Sequence, residues 1–409
     1  FSYRDGELWA EDVRAGELAE QFGTPLYVYS ARTLKRHYQA FDEALAGLSH
    51  LTCFSVKANG NLHLLRLLGS LGAGVDIVSG GELFRALKAG VDPRRIVYSG
   101  VGKQGREIRE ALAADILMFN VESVQELEQI GRLAADMGTT ARISLRINPD
   151  VDPKTHPYIS TGLKQNKFGL DILEATGVYL MAREMPSIAP VGIDCHIGSQ
   201  LTQIGPFLEA LDKLLAFADR LKSSGVVIRY LDLGGGLGIT YDAESPPPPK
   251  ELGQAIAGAV RDRDLTVILE PGRAIAGNAG ILLTRVLYTK KTRVKHFVIV
   301  DAAMNDLVRP SLYGAFHKIA EARPQGREKI TVDVVGPICE SSDFLAQNRG
   351  LPKVESGELL ALFSAGAYGF SMSSQYNARP RAAEVIVDGA RATLARRRET
   401  YDDLIALEL

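Results

Sequence analysis

Cysteine is scarce. The chain has three, an odd and scattered set that suits reduced cytosolic thiols better than a disulfide framework. Charge of one sign is also lacking: a formal net charge of −2 excludes a general attraction to nucleic acid or an anionic membrane. No apolar run is long enough to span a bilayer, since Ile281 to Tyr288 is interrupted by Thr284 and Arg285. No Cys/His cluster has metal-ligand spacing, so no metal is assigned. The polar, acidic start has no secretory character, and a cytoplasmic location is the expectation; Phe1 is not an initiator Met, so a trimmed natural start is also expected. What remains is ordinary for a globular protein. With 46% hydrophobic and 23% charged residues, 409 residues are enough for two domains. The Arg396-Arg397-Arg398 run is followed by Glu399, Asp402 and Asp403, and reads as a solvated or interface face.

From Arg32 to Pro271, short apolar runs alternate with amphipathic helical segments. The strand candidates are 51–56, 75–78, 96–98, 116–119, 142–147, 191–196, 230–233 and 266–270. Helical patterns lie between them at 61–71, 81–89, 105–114, 121–137, 206–221 and 250–261. Such alternation implies parallel βα units, and eight strands are the number that closes a (β/α)8 barrel. A doubly wound open sheet competes. After Arg273 the segments become short, β-rich and punctuated by glycine, at 281–289, 296–301, 329–335, 359–363 and 383–387. The expected organisation is a barrel over 31–274, a β-sandwich or barrel domain over 275–409, and an N-terminal segment, 1–30, that joins the β domain. The Pro246–Pro249 run reads as a stiff surface connection.

In a βα barrel, functional groups gather at the C-terminal ends of the strands. Four features have that position. Lys57 follows the first strand, in Cys53-Phe54-Ser55-Val56-Lys57-Ala58-Asn59. His196-Ile197-Gly198-Ser199 follows the sixth, Gly234-Gly235-Gly236-Leu237-Gly238 the seventh, and Glu270-Pro271-Gly272-Arg273 the eighth. A desolvated Lys is a usable amine nucleophile and condenses with an aldehyde cofactor; a snorkelling Lys at a strand end is the bland alternative. The glycine run is late in the chain and lacks the dinucleotide spacing. It suits backbone contact with a phosphate, against a plain tight turn. Glu270 needs a cation or a proton, either from a pyridine nitrogen or from Arg273. His196 offers a flat ring for stacking, or is a satisfied core histidine. Together these describe a site for pyridoxal 5′-phosphate (PLP).

These motifs, and others along nearly the whole chain, resemble the PLP-dependent decarboxylases of the alanine-racemase fold (fold type III). The further matches are Arg146-Ile147-Asn148-Pro149, Asn166-Lys167-Phe168-Gly169, Arg309-Pro310-Ser311-Leu312-Tyr313, Gly336-Pro337-Ile338-Cys339-Glu340-Ser341 and Gly366-Ala367-Tyr368-Gly369. The resemblance implies that Lys57 carries PLP as a Schiff base and that His196 stacks on its ring. It implies that Ser199, Gly236 and Tyr368 hold the phosphate region, that Gly234, Gly235, Gly272 and Arg273 also bind the cofactor, and that Glu270 pairs with the ring nitrogen. It further implies that Arg273, Arg309 and Tyr313 bind the substrate's distal carboxylate, that Tyr368 also contacts the substrate, that Glu340 meets its distal amine, and that Cys339 is the proton donor. The implied reaction is decarboxylation of meso-2,6-diaminopimelate to L-lysine, the last step of lysine biosynthesis. The implied assembly is a homodimer with shared sites, with no nucleic-acid or membrane partner.

Competing activities are a decarboxylase of ornithine, arginine or carboxynorspermidine, an amino-acid racemase, a non-catalytic PLP carrier or regulator, and a barrel hydrolase using Glu270. Ornithine-type sites need no arginine for a distal carboxylate, so Arg309 with Tyr313 favours diaminopimelate. Glu270 argues against a racemase, Lys57 with Cys339 against a regulator, and the lack of a second placed carboxylate against a hydrolase. The Asn148–Gly169 segment has the length and composition of a lid.

Overall fold

Alternating βα units close into a parallel barrel in the middle of the chain. The computed structural model describes residues 1–152 and 167–409. One unit comprises Arg36–Ile239 and Ser245–Ala274. Its barrel strands are β1 His50–Ser55, β2 Gly74–Ile77, β3 Ile96–Tyr98, β4 Met118–Val121, β5 Ala141–Asn148, β6 Ile188–Asp194, β7 Tyr230–Asp232 and β8 Thr266–Leu269. All neighbours pair in parallel, and β8 pairs with β1 through Val267 with His50, Ile268 with Leu51 and Leu269 with Thr52. That last pairing closes the ring and excludes the open doubly wound sheet. Helices α1 Leu62–Ser70, α2 Gly80–Ala89, α3 Gly105–Ala113, α4 Val124–Asp136, α5 Ile172–Glu184, α6 Gly205–Ser223 and α7 Pro249–Val260 alternate with the strands. Ser79 and Ser123 cap α2 and α4, accepting hydrogen bonds from Glu82 N–H and Glu126 N–H.

The barrel interior changes character along each strand. Successive inward side chains are two residues apart. Leu51, Cys53, Val97, Met118 and Ile268 form a buried apolar cluster. Two residues further on, Cys53 gives way to Ser55, Val97 to Ser99, Met118 to Asn120 and Ile268 to Glu270, and all four of these polar residues are buried. The apolar end thus seals the barrel, and the C-terminal end of the strands carries the polar layer.

The second unit comprises Phe1–Lys35, Thr240–Glu244 and Ile275–Leu409. Its main sheet runs in the order 344–352, 329–335, 296–300, 280–291, 26–30, 383–388 and 391–396. Leu26–Ser30 pairs antiparallel with Gly280–Lys291 and parallel with Ala383–Asp388. Leu26, Val28, Ile281, Leu283, Val385 and Val387 belong to its buried core. The arginine run is split: Arg397 is exposed and pairs with Asp403, whereas its two neighbours turn inward. Arg396 pairs with Glu384, which is fully buried, and Arg398 donates to the Pro25 carbonyl at 2.7 Å. Among the described residues no helix is long and apolar enough to cross a membrane. Residues 153–166, including Asn166 and most of the expected lid, lie outside the described residues.

Candidate active site

Lys57 sits in a single 3-10 turn, Val56–Ala58, directly after β1. Its Nζ lies 2.5 Å from Asp76 Oδ2 on β2. Strand register brings this about, because Ser55 pairs with Asp76. Ser55 Oγ reaches the same Asp76 oxygen at 2.8 Å and the Glu270 carbonyl at 3.0 Å. Asp76 is fully buried, and a buried carboxylate requires a cation or donors. The other Asp76 oxygen, Oδ1, is buried and accepts no hydrogen bond among the described residues.

Glu270 follows β8 and lies in a group of buried acids. Its carboxylate and those of Asp194 and Asp232 place oxygens within 4.8 Å of one another. Register again explains the grouping: Arg146 pairs with Asp194, and Asp194 with Asp232, on β5, β6 and β7. Burial, and then the charge of Asp232, push the Glu270 carboxyl well above its usual range. Burial and the Asp232 charge do the same to Asp194. Asp232 is pushed up to about 7, chiefly by burial, although Gly234 N–H and Asn120 hold it down. Asn120 Nδ2 ties the set together, 3.2 Å from Asp232 Oδ2, 3.4 Å from Glu270 Oε1 and 3.1 Å from Ser99 Oγ. These acids therefore share protons, and Glu270 is suited to hold one opposite a basic ring nitrogen.

His196 follows β6 and is held by backbone and side chain. Its Nδ1 accepts from Gly235 N–H at 3.1 Å, so the ring proton resides on Nε2. Burial, then the charges of Arg146 and Lys57, lower its pKa well below the ordinary value and keep the ring neutral. Arg146 donates to the His196 carbonyl at 3.3 Å and pairs with buried Glu122 at 2.7 Å.

The glycine run is shaped first by the protein around it. A Cβ at Gly235 would lie 2.2 Å from the Glu270 carbonyl oxygen. At Gly236, with φ at +116°, it would lie 2.3 Å from the Gly198 carbonyl oxygen. Three of the run's N–H groups are used internally, Gly234 to Asp232 Oδ1 at 2.9 Å, Gly235 to His196 Nδ1 and Gly238 to the Leu201 carbonyl at 2.9 Å. Gly272 packs its Cα face against Ser55 and Ala58. Arg273 donates to Ser199 Oγ through Nε and Nη2, at 3.3 and 3.1 Å.

The remaining candidates lie in the β unit. Arg309 opens a short helix, Arg309–Tyr313, and is buried, so it is not a surface ion-pair residue. Its Nη1 is 2.9 Å from His317 Nε2. Tyr313 and Tyr368 are half-buried, and Tyr368 adopts a left-handed φ of 56°. Cys339 is exposed, unlike Cys53 and Cys195, whose buried thiols have raised pKa values. Its backbone N–H donates to Asn377 Oδ1 at 2.9 Å. Glu340 accepts from Ser342 Oγ at 2.5 Å and Tyr376 Oη at 2.7 Å, and these bonds lower its pKa.

Sequence reasoning brought Lys57, His196, Ser199, Gly234 to Gly236, Glu270, Gly272 and Arg273 to one end of the barrel. It missed Asp76, Asn120, Asp194, Asp232 and His317. The first four had a usable signal, because each interrupts an apolar strand run two residues after an inward position.

A family model described as the pyridoxal binding domain of pyridoxal-dependent decarboxylases matches residues 31–277. The chain is 56% identical to diaminopimelate decarboxylase of Pseudomonas aeruginosa over 408 residues, covering 100% of this chain and 98% of that protein. Its fold is similar to the crystal structure of diaminopimelate decarboxylase from Helicobacter pylori complexed with L-lysine, with a TM-score of 0.93 at 46% identity, over 96% of this chain and 98% of that one. The structure of the M. jannaschii enzyme in co-complex with L-lysine gives a TM-score of 0.95 at 44% identity, over 100% and 97% of the two chains. By its pyridoxal-binding domain and its identity along the full length, this chain belongs to the diaminopimelate decarboxylase family of pyridoxal-dependent decarboxylases.

Proposed function

We propose that this protein decarboxylates meso-2,6-diaminopimelate at its D-centre, releasing CO2 and L-lysine, with PLP as cofactor. Full-length identity to proteins of that activity carries the reading. The chemistry of the barrel end supports the cofactor: a primary amine, an acid that retains a proton, and a neutral imidazole lie around one mouth. When bound, PLP supplies an aldehyde for the substrate amine and an electron-withdrawing ring that accepts the electron pair left by CO2.

Lys57 Nζ is the amine that holds the cofactor between turnovers. Asp76, 2.5 Å away, holds Nζ at the mouth of the barrel. His196 presents a neutral face for stacking, oriented by Gly235 N–H. Glu270 keeps a proton at the ring nitrogen, and a protonated ring withdraws electrons more strongly. Ser199, Arg273, Gly236 and Tyr368 serve the phosphate. Gly234, Gly235 and Gly272 serve the site by admitting close backbone approach.

At the other end of the substrate, Arg273, Arg309 and Tyr313 bind the distal carboxylate, since guanidinium matches carboxylate bidentately. Glu340, an ionised acid, receives the distal ammonium. Cys339 Sγ–H delivers the proton that replaces the lost carboxyl. Cys339 and Glu340 are exposed on this chain, which supports their contribution across a homodimer interface. The enzyme acts on a small amino acid in the cytoplasm, without nucleic-acid or membrane partners.

The test is to offer meso-diaminopimelate, ornithine and arginine separately to the PLP-loaded protein and measure CO2. Only meso-diaminopimelate is turned over efficiently. Preference for ornithine or arginine overturns the assignment of Arg309 and Glu340.

A further inference from the structure

We propose that His317 is the positioning residue for Arg309, and thereby sets the discrimination for a ligand carrying a distal carboxylate. The inference rests on Arg309 being the distal-carboxylate group. His317 is fully buried, in the segment before the strand Ile319–Glu321. Its Nδ1 lies 2.9 Å from the Phe363 carbonyl oxygen. A carbonyl only accepts, so Nδ1 carries the hydrogen and Nε2 presents a lone pair. That lone pair accepts from Arg309 Nη1 at 2.9 Å. The backbone of Phe363, one residue beyond the strand Leu359–Leu362, thus fixes the tautomer that can receive the guanidinium.

A second group acts with His317. The Tyr241 ring lies beneath Arg309, with Cζ 4.8 Å from its centroid. The Tyr241 and His317 rings meet edge to face, 5.5 Å apart at 81°. Arg309 is therefore held along one edge by an imidazole nitrogen and over its face by an aromatic ring. Both of these partners are uncharged in this arrangement. They set the plane of the guanidinium without neutralising it, and planar, bidentate recognition of a carboxylate depends on that plane. A carboxylate partner in place of His317 would orient Arg309 equally well but would compete with an anionic ligand for its charge.

Two substitutions separate the two hydrogen bonds of the imidazole. His317→Asn retains a donor near Nδ1 for the Phe363 carbonyl and removes the acceptor that reaches Arg309. His317→Gln places an acceptor near Nε2 and gives up the Nδ1 donor. The probes are L-lysine, which keeps the distal carboxylate, and cadaverine, the same chain without it. Inhibition by each is measured on the PLP-loaded enzyme, together with KM and kcat for meso-diaminopimelate. In His317→Asn, KM and the lysine inhibition constant rise about tenfold, the low end of what a charge-assisted hydrogen bond contributes. Cadaverine inhibition and kcat stay near wild type. His317→Gln recovers most of the lysine preference, and it carries the test alone if the Asn variant does not fold. Equal weakening of lysine and cadaverine, or no change in either, overturns the proposal. Arg309→Lys, measured with the same pair, reports on the underlying reading. If it does not lower the preference for lysine over cadaverine, the Arg309 assignment itself fails and His317 falls with it. If Arg309→Lys lowers that preference and His317→Asn does not, the His317 proposal alone is wrong.

Discussion

Replacing Asp232 by Asn should change how barrel stability depends on pH. Asp232 is fully buried, accepts from Gly234 N–H and Asn120, and shares a 4.8 Å neighbourhood with Asp194 and Glu270; Asp76 also raises its pKa. Its folded-state pKa is about 7, against 3.8 for an unperturbed Asp. The sign follows from proton counting. Above pH ~4 the unfolded chain releases this proton while the folded chain keeps it, so stability falls as pH rises to about 7 and is flat beyond. A shift of about three units amounts to about 4 kcal/mol, undiminished by solvent because the group is buried. Relief of repulsion at Asp194 and Glu270 adds to that gain, so about 4 kcal/mol or somewhat more is expected. Asn cannot titrate. Relative to wild type, Asp232→Asn therefore gains this amount between pH ~4 and pH ~8. Any constant offset reports the altered hydrogen bonds. Cys53 and Cys195 are the two buried thiols and both lie in the barrel unit. Their urea-dependent labelling in cofactor-free protein reads barrel opening separately from the β unit. Comparing variant and wild type at each pH cancels the reagent's own pH dependence. A stability difference that is constant across this range would falsify the account of the acid group.

Three further outcomes are expected. Lys57→Ala abolishes decarboxylation and the visible band of the PLP-loaded protein; an active wild type without such a band refutes the cofactor role of Lys57. Cys339→Ala and Lys57→Ala, each inactive alone, regain partial activity when mixed, because one site of a mixed dimer holds both native residues; absence of rescue after demonstrated subunit exchange removes the shared site. Gly235→Ala lowers barrel stability by about 1–3 kcal/mol and weakens PLP binding, since its Cβ would sit 2.2 Å from the Glu270 carbonyl oxygen; a variant with wild-type urea midpoint and PLP titration contradicts the close-packing argument.

The barrel was legible because parallel strands buried on both faces read as continuous apolar runs. The run at 51–56 appears as His50–Ser55, and that at 230–233 as Tyr230–Asp232. The strand Phe344–Pro352 was not read, because Gln347, Asn348 and Arg349 break its pattern, and Asn348 adopts a φ of 48°. The strand Arg391–Arg396 was hidden by its terminal arginines, one of which turns inward to Glu384. At the site, residues that open loops after strands were found by position. Asp76, Asn120, Asp194 and Asp232 were not, because their partners are supplied by register between strands. Ser99 and Glu270, which Asn120 joins, are 171 residues apart in sequence. Arg309 and His317 are only eight residues apart, but the intervening turn gives no periodic signal that they meet.

The placement of Leu26–Ser30 has a consequence for how the protein is made. This strand leaves the ribosome early, yet its two neighbours, Gly280–Lys291 and Ala383–Asp388, are synthesised after the whole barrel. The bond from Tyr29 Oη to Glu384 spans 355 residues. The barrel can close during translation, as domains fold in turn, while the sheet that needs Leu26–Ser30 has the highest loop-closure cost and forms last. For that interval an apolar strand, fully buried in the finished protein, has both edges unpaired. Each edge closes only when its own partner has been made, and a chain stopped short of Ala383 leaves the edge that Ala383–Asp388 covers open permanently.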